Sequence, residues 1–238
     1  MLKECVRGLV DACKFFDLPV LGGNVSLYNE NQEGAIDPTP VVSVVGIVDT
    51  EEMITTQKLK NGDEAIILIG GLCDEIGGSY YLKEIHDFKT GDAPTPNLAV
   101  EEQINSFVLR LIKNKQVVAA HDISEGGLLV ALTEMLFAQE QTFGANLDIM
   151  WETGAIRFDA QLFGESQGRI LVAVNFDDID SILKLAQEVK VPAMLLGLAT
   201  KDPSLIIKSS AGDNRIVWNT NGLRQAWGCA LTESMNDL

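Results

Sequence analysis

The chain has 238 residues, of which 46% are hydrophobic and 22% charged, so it can bury the core of one large domain or two smaller ones. Its formal net charge of −16 excludes functions that depend on broad electrostatic attraction to nucleic acid or to an anionic membrane. Four scattered cysteines without a Cys-x-x-Cys pair, and the lack of a signal peptide or a membrane-length apolar run, favour a cytoplasmic protein with buried, reduced thiols.

The first part of the chain predicts a helix followed by a loop. Apolar residues recur at helical spacing over 2–16, and residues 18–21 predict a short strand. A polar loop with two glycines covers 22–30, and an apolar run follows at 40–48. The polar stretch 49–63 predicts a domain boundary, which we place between domains 1–55 and 56–238.

The second domain alternates strand-like and helix-like patterns. A glycine-rich turn is predicted around 70–78 and a loop at 87–97. The order of the elements predicts an α+β fold with α/β-like alternation, in which helices cover a sheet. Strands are predicted at 65–69, 117–120, 146–150, 168–174, 193–199 and 204–208, and helices at 79–86, 98–114, 126–138 and 178–190.

The sequence GGNVSLYNE at 22–30 carries the first candidate site. Two consecutive glycines let backbone N–H groups approach an anion, while Asn24 and Ser26 add amide and hydroxyl groups. This chemistry suits a phosphate and its hard metal ion. The alternative is a polar turn in which Asn and Ser bind their own backbone, and on these residues alone that alternative has at least equal weight.

The second candidate site is the sequence HDISEGGL at 121–128, where a predicted strand ends and a helix begins. Asp122 is a candidate ligand for Mg²⁺, and the amides of Gly126 and Gly127 are candidates to face phosphate oxygens. The alternative is that Ser124 or Asp122 caps the helix and that His121 is a hydrogen-bonded core histidine.

The third candidate is the sequence LFGESQGR at 162–169, just before a predicted strand. Glu165, Ser166 and Gln167 offer groups for binding hydroxyls or amides of a substrate. The alternative, a polar strand start in which Arg169 pairs with a carboxylate, is favoured by the residues alone.

These motifs, in this order, resemble the C-terminal part of the phosphoribosylformylglycinamidine synthase family, of the small PurL type, within the AIR synthase superfamily. The resemblance covers nearly the whole chain. It implies the tail of a second N-type domain at 1–55, followed by a second C-type domain at 56–238 with a mixed sheet covered by helices. The matching segments are GGNVSLYNE, PTPVVSVVGIVD, IGGLCDEIGGSYYL, AAHDISEGGLLVALTEM and LFGESQGRILVAV.

The resemblance implies an ATP-dependent ligase that converts formylglycinamide ribonucleotide to its amidine with ammonia from glutamine. By this resemblance Gly23 contacts ATP, Asn24 ligates Mg²⁺ and Ser26 contacts the substrate. Asp122 and Ser124 correspond to an auxiliary, non-catalytic nucleotide site, with Asp122 toward Mg²⁺. The 165–167 triplet corresponds to a substrate-binding triplet of the first half, and we expect it to be structural here.

The resemblance also implies partners: the N-terminal half of the same enzyme, a separate glutaminase subunit and a small PurS-like subunit. The catalytic residues of the family belong to its N-terminal half, so we expect this chain to be part of a longer polypeptide and to be inactive alone. The alternatives are another ATP-dependent enzyme of the superfamily, or a non-catalytic nucleotide-binding or assembly module.

Overall fold

The computed structural model describes residues 2–26, 28–32, 34–35, 37, 39–72, 74–149, 156–209 and 215–236. It divides into two units, Met1–Asp49 and Thr50–Leu238. Within the described residues, no helix combines the length and the apolar character that crossing a membrane requires.

The first unit begins with helix α1, Leu2–Phe15, as the periodicity predicts. Strands β1, Glu30–Asn31, and β2, Gly34–Ala35, form a small antiparallel hairpin. The prediction of a strand at 18–21 is wrong. Within the described residues of this unit, no neighbouring strand forms a hydrogen-bonded ladder with this segment.

Much of the apolar surface of the first unit is exposed. Helix α1 buries none of its residues, although its apolar residues lie on one face. The apolar run at 40–48 forms no strand, and Ile47 is 94% exposed. The prediction of buried thiols is wrong for the three described cysteines, which are free and only half-buried (Cys5, Cys13 and, in the second unit, Cys229), while Cys73 lies outside the described residues.

A mixed seven-stranded sheet forms the centre of the second unit. Its strand order is β4-β6-β3-β7-β5-β8-β9, and all neighbours pair antiparallel except β5 and β8, which pair parallel. The strands are β3 Ala65–Ile69, β4 Ala119–Asp122, β5 Gly144–Ile149, β6 Ile170–Val174, β7 Ala193–Thr200, β8 Ser204–Ser209 and β9 Arg215–Asn219.

Helices cover both faces of this sheet and confirm the predicted α+β class. Alternate residues of β3 enter two separate cores, because successive side chains of a strand point to opposite faces. One core contains α4 and α5, and the other contains α3 and α6. The helices of this unit are α2 Tyr80–His86, α3 Leu98–Lys113, α4 Gly127–Phe137, α5 Phe158–Phe163, α6 Ile179–Glu188 and α7 Thr220–Asn236.

Three elements of the second unit, α5, β9 and α7, have no counterpart in the sequence-based prediction. Helix α5 spans only six residues, and most residues of α7 are exposed, so neither gives a strong periodic signal. Strand β4 begins two residues later than predicted, since its ladder with β6 runs from Ala119 to Asp122.

A buried carboxylate anchors the start of β3. The side chain of Glu64, which is 1% exposed, accepts hydrogen bonds from the backbone N–H groups of Lys60, Asn61, Gly62 and Asp63 at 2.8–3.2 Å. Burial by itself raises the pKa of the Glu64 carboxyl, but these backbone donors outweigh that effect and the pKa lies below its ordinary value.

Replacing Glu64 by Gln is expected to lower the free energy of unfolding by about 2–4 kcal/mol at pH 7, because an amide cannot accept from all four donors. The folded pKa is below the unfolded pKa, so the contribution of the carboxylate is complete above about pH 5 and falls as the pH drops through the folded pKa. Denaturant unfolding between pH 7 and 3 measures this: the gap between wild type and Glu64→Gln should narrow on acidification. A constant gap, or an equal loss in the exposed neighbour Asp63→Asn, would contradict it.

Gly197 occupies a position in β7 that has no room for a side chain. Ile66 pairs with Gly197 and Ile67 with Leu195, so Leu196 is an extra residue in the ladder. The φ angle of Gly197 is +153°, and a Cβ atom there would lie 1.9 Å from the backbone oxygen of Asn146.

We therefore expect Gly197→Ala to destabilise the protein by about 3 kcal/mol, which corresponds to a melting temperature lower by roughly 6–12 °C. The matched control is Gly222→Ala in α7, where a Cβ atom meets nothing within 4 Å and the change should stay within about 1 kcal/mol. Thermal unfolding of both variants is the measurement, and equal melting temperatures would refute the steric argument.

Candidate functional site

In the first unit, the glycine loop brings two of its predicted site residues together. The amide nitrogen of Asn24 donates to the hydroxyl of Ser26 at 3.1 Å, and the amide nitrogen of Asn29 donates to the backbone oxygen of Ser26 at 3.3 Å. Gly23 is exposed, and a Cβ atom there would meet nothing within 4 Å. The loop therefore presents an open backbone beside two fixed polar side chains.

The oxygens of this loop fit a hard cation. The hydrogen bond to Ser26 uses the nitrogen of the Asn24 amide, so the amide oxygen is the atom that a cation would contact. In the described part of the chain, no group of three or more His, Cys, Asp or Glu side chains converges to hold a metal ion. A cation at Asn24 would thus take most of its ligands from substrate phosphates and water, as Mg²⁺ commonly does.

A tyrosine closes the same loop. The hydroxyl of Tyr28 donates to Oε1 of Glu30 at 2.6 Å. This hydrogen bond raises the pKa of the tyrosine hydroxyl, because removing its proton would place two negative charges together. Tyr28 and Glu30 hold the end of the loop next to hairpin β1–β2.

The second candidate site lies at the end of β4 in the second unit. Asp122 ends the strand and its side chain is 74% exposed, while Ser124 is exposed in the turn that follows. The side chains of Asp122 and Ser124 do not cap helix α4, whose first residues are preceded by Gly126 in a left-handed conformation. The capping alternative is therefore wrong, and both side chains face outward from a fixed turn.

The glycine amides of this turn already have partners within the protein. The N–H of Gly126 donates to Oε1 of Glu165 at 2.9 Å, and the N–H of Gly127 donates to the backbone oxygen of Ser124 at 3.1 Å. The prediction that these two amides face phosphate oxygens is wrong for this conformation. A ligand at this turn would depend on the side chains of Asp122 and Ser124.

His121 is hydrogen-bonded, as the alternative reading of this motif predicts. Its Nε2 lies 2.9 Å from Oε2 of Glu134 and its Nδ1 lies 3.3 Å from Oδ1 of Asp122. The indole N–H of Trp227 donates to the other oxygen of Glu134 at 3.2 Å. Glu134 thus links β4 to α7 through His121 and Trp227.

A cavity of about 850 Å³ opens beside these hydrogen bonds. His121, Asp122 and Glu134 contribute polar groups, Trp227 contributes an indole, and Lys58 contributes a cation. Its size and mixed lining are typical of a small-molecule pocket. No pattern in the sequence marks Glu134 or Trp227 as pocket residues, because their participation depends on the packing of α7 beside α4, where the ring centroids of Phe137 and Trp227 lie 5.6 Å apart.

The third motif has a structural role, as expected. Oε1 of Glu165 accepts from the N–H groups of Tyr80 and Gly126, and Ser166 is buried. Arg169, which is 2% exposed, donates to the backbone oxygens of Gly164 and Ser166. The segment 164–169 thus holds the start of β6 against the turns before α2 and α4.

Two family profiles match the chain. Residues 61–209 match the AIR synthase related protein, C-terminal domain, and residues 1–48 match the AIR synthase related protein, N-terminal domain. The first match alone covers more than half of the chain.

Curated relatives carry a more specific name. The phosphoribosylformylglycinamidine synthase subunit PurL of Symbiobacterium thermophilum is 41% identical over 200 residues, which are 84% of this chain and 25% of the relative. The same subunit from Alkaliphilus metalliredigens is 35% identical over 240 residues, covering 98% of this chain and 31% of the relative. This chain therefore spans only about a quarter to a third of these relatives.

Solved structures share the fold. The chain aligns with Thermotoga maritima PurL complexed with FGAR at a TM-score of 0.61 and 18% identity, over 73% of this chain and 30% of that chain. It aligns with the same protein complexed with ATP at a TM-score of 0.56 and 17% identity, over 72% and 27% of the two chains. The profile match over residues 61–209 establishes that the chain belongs to the AIR synthase related protein family, within which it is similar to part of the PurL subunit.

Proposed function

We propose that this chain is cytoplasmic and is part of the ATP-dependent ligase subunit that converts formylglycinamide ribonucleotide to its amidine with glutamine-derived ammonia in purine biosynthesis. The observation that carries the proposal is the loop at 22–26, where an exposed glycine backbone lies beside the hydrogen-bonded pair Asn24 and Ser26. The identity of 41% to a phosphoribosylformylglycinamidine synthase subunit supports it.

In this proposal each residue of the loop binds one part of the reacting complex. The backbone N–H of Gly23 binds a phosphate oxygen of ATP, because no side chain obstructs the approach. The amide oxygen of Asn24 ligates Mg²⁺, which would neutralise charge on the phosphates. The hydroxyl of Ser26, already fixed by Asn24, orients the ribonucleotide.

We assign no catalytic residue to this chain. The loop of the first unit offers donors and oxygen ligands, and the groups that transfer protons would come from the rest of the enzyme. The exposed apolar face of α1 and the exposed run at 40–48 support a covering partner, which we propose to be the N-terminal half of the same enzyme. A glutaminase and a PurS-like subunit complete the proposed assembly, consistent with a solved structure named PurLQS from Thermotoga maritima.

We also propose an auxiliary nucleotide site at Asp122 and Ser124. Both residues are exposed at the end of β4, beside the 850 Å³ cavity that Asp122 helps to line. A carboxylate and a hydroxyl at one strand end suit a Mg²⁺-bound nucleotide phosphate. Binding of the nucleotide at this site would stabilise the second unit, and no reaction would take place there.

Calorimetric titration of the chain with Mg·ADP tests the auxiliary site. We expect Asp122→Ala to weaken binding by about tenfold or more, because a carboxylate that ligates the cation is lost. Asp148→Ala removes an equal charge from an exposed position of β5 and should bind like wild type. Absence of binding by the wild-type chain, or equal binding by Asp122→Ala, would refute the assignment.

A chimera tests the proposed activity. The aligned segment of Symbiobacterium thermophilum PurL is replaced by this chain, and ATP-dependent turnover of formylglycinamide ribonucleotide is measured with ammonia as nitrogen donor. We expect turnover, and we expect Asn24→Ala to lower kcat about 100-fold through loss of a metal ligand. Asn105→Ala, an exposed control on α3, should leave kcat unchanged. A folded chimera without turnover, or one insensitive to Asn24→Ala, would contradict the proposal.

A further inference from the structure

The indole ring of Trp227 lines the 850 Å³ cavity of the second unit. Trp227 is 64% exposed, although two contacts fix its position. Its N–H donates to Oε1 of Glu134 at 3.2 Å, and its ring centroid lies 5.6 Å from that of Phe137. An aromatic ring that is fixed in place and left uncovered is suited to stacking against a planar ligand.

Three successive hydrogen bonds connect Trp227 to Asp122 along the wall of this cavity. Beyond the contact between Trp227 and Glu134, Oε2 of Glu134 lies 2.9 Å from Nε2 of His121, and Nδ1 of His121 lies 3.3 Å from Oδ1 of Asp122. All four residues line the cavity. The indole ring and the Asp122 carboxylate are therefore held at fixed positions within one cavity.

The segment 55–58 forms another wall of the cavity. The backbone oxygen of Thr56 accepts from the N–H of Ala120 at 3.0 Å, which fixes the segment against the edge strand β4. Gln57 brings an amide that can both donate and accept a hydrogen bond, and Lys58 brings an ammonium group. Polar groups thus face the same cavity as the indole ring.

The charges of the cavity suit an anionic ligand better than the rest of the chain does. The chain carries a net charge of −16, whereas the described lining of the cavity balances two carboxylates with two cations, Lys58 and Arg224. Both oxygens of Glu134 already accept hydrogen bonds, and Nη1 of Arg224 is anchored on the backbone oxygen of Glu140 at 2.7 Å. A ligand with a planar ring and an anionic group meets complementary surfaces here.

We propose that this cavity binds the base of the nucleotide whose phosphates are held at Asp122. The base stacks on Trp227, and its polar edge faces the amide of Gln57. This inference rests on the auxiliary site proposed above and adds the part of the ligand that the site selects. The volume of the cavity lies within the range of small-molecule sites. The auxiliary site consequently distinguishes a nucleotide from inorganic pyrophosphate.

Calorimetric titration with Mg·ADP and with Mg·pyrophosphate separates the base from the phosphates. We expect Trp227→Leu to weaken Mg·ADP binding about tenfold and to leave Mg·pyrophosphate binding unchanged, because only the base loses its stacking partner. The matched control is Trp227→Phe, which also loses the N–H contact to Glu134 but keeps an aromatic ring. Its affinity for Mg·ADP should stay within about threefold of wild type. Asp122→Ala should weaken both ligands.

The fluorescence of Trp227 reports the stacking directly. Mg·ADP should quench the emission of the wild-type chain, and this quenching should be absent in Trp227→Phe while calorimetry still shows binding. Mg·pyrophosphate should quench neither protein. The fluorescence comparison decides the question if Trp227→Leu does not fold, because Trp227→Phe retains a large aromatic side chain.

The possible outcomes separate the two assignments. Mg·ADP binding that depends on Asp122 but not on Trp227 would overturn the base-binding role and leave the metal-binding role in place. Binding that depends on Trp227 but not on Asp122 would support the base-binding role and contradict the metal ligand. Absence of Mg·ADP binding by the wild-type chain would overturn both.

Discussion

The complete burial of β3 is the constraint on which the second unit depends. All five residues of this strand are 0% exposed, so both faces of the sheet must be covered by helices. The backbone N–H and C=O groups of β3 form hydrogen bonds in antiparallel ladders with β6 and β7. The carboxylate of Glu64 binds the turn before it and fixes where the strand begins. The two cores, and the helices that carry the candidate site residues, are arranged around this strand.

The ladder between β4 and β6 brings two distant motifs together. Asp122 pairs with Ile170, and the N–H of Ile123 donates to the backbone oxygen of Arg169. The turn after β4 therefore lies against the segment before β6, where Glu165 meets Gly126. A shift of β4 against β6 by one residue would place the polar groups of the two motifs on opposite faces of the sheet. The geometry of the second candidate site is thus a consequence of strand pairing.

The two units differ in how their candidate sites are supported. The loop of the first unit is open, held by the short contacts of Asn24, Ser26 and Asn29, and its apolar surroundings are exposed. The turn of the second unit is supported by buried residues, among them Arg169. Precise ligand geometry requires such support, which the proposed partner would give to the first loop by covering the exposed apolar surface.

The sequence by itself determined the elements with strong periodicity: the buried run at 65–69, the amphipathic helices at 98–114 and 178–190, and the glycine motifs that carry Asn24, Ser26, Asp122 and Ser124. These features can be predicted because the spacing of hydrophobic residues and the conformational freedom of glycine are properties of the local sequence. The tertiary structure alone decided that residues 18–21 form no strand and that α7 brings Trp227 to Glu134. It also decided that the carboxylate of Glu165 accepts a hydrogen bond from the N–H group of Gly126. Each of these depends on which distant group supplies a hydrogen-bond partner, and sequence spacing does not encode that partner.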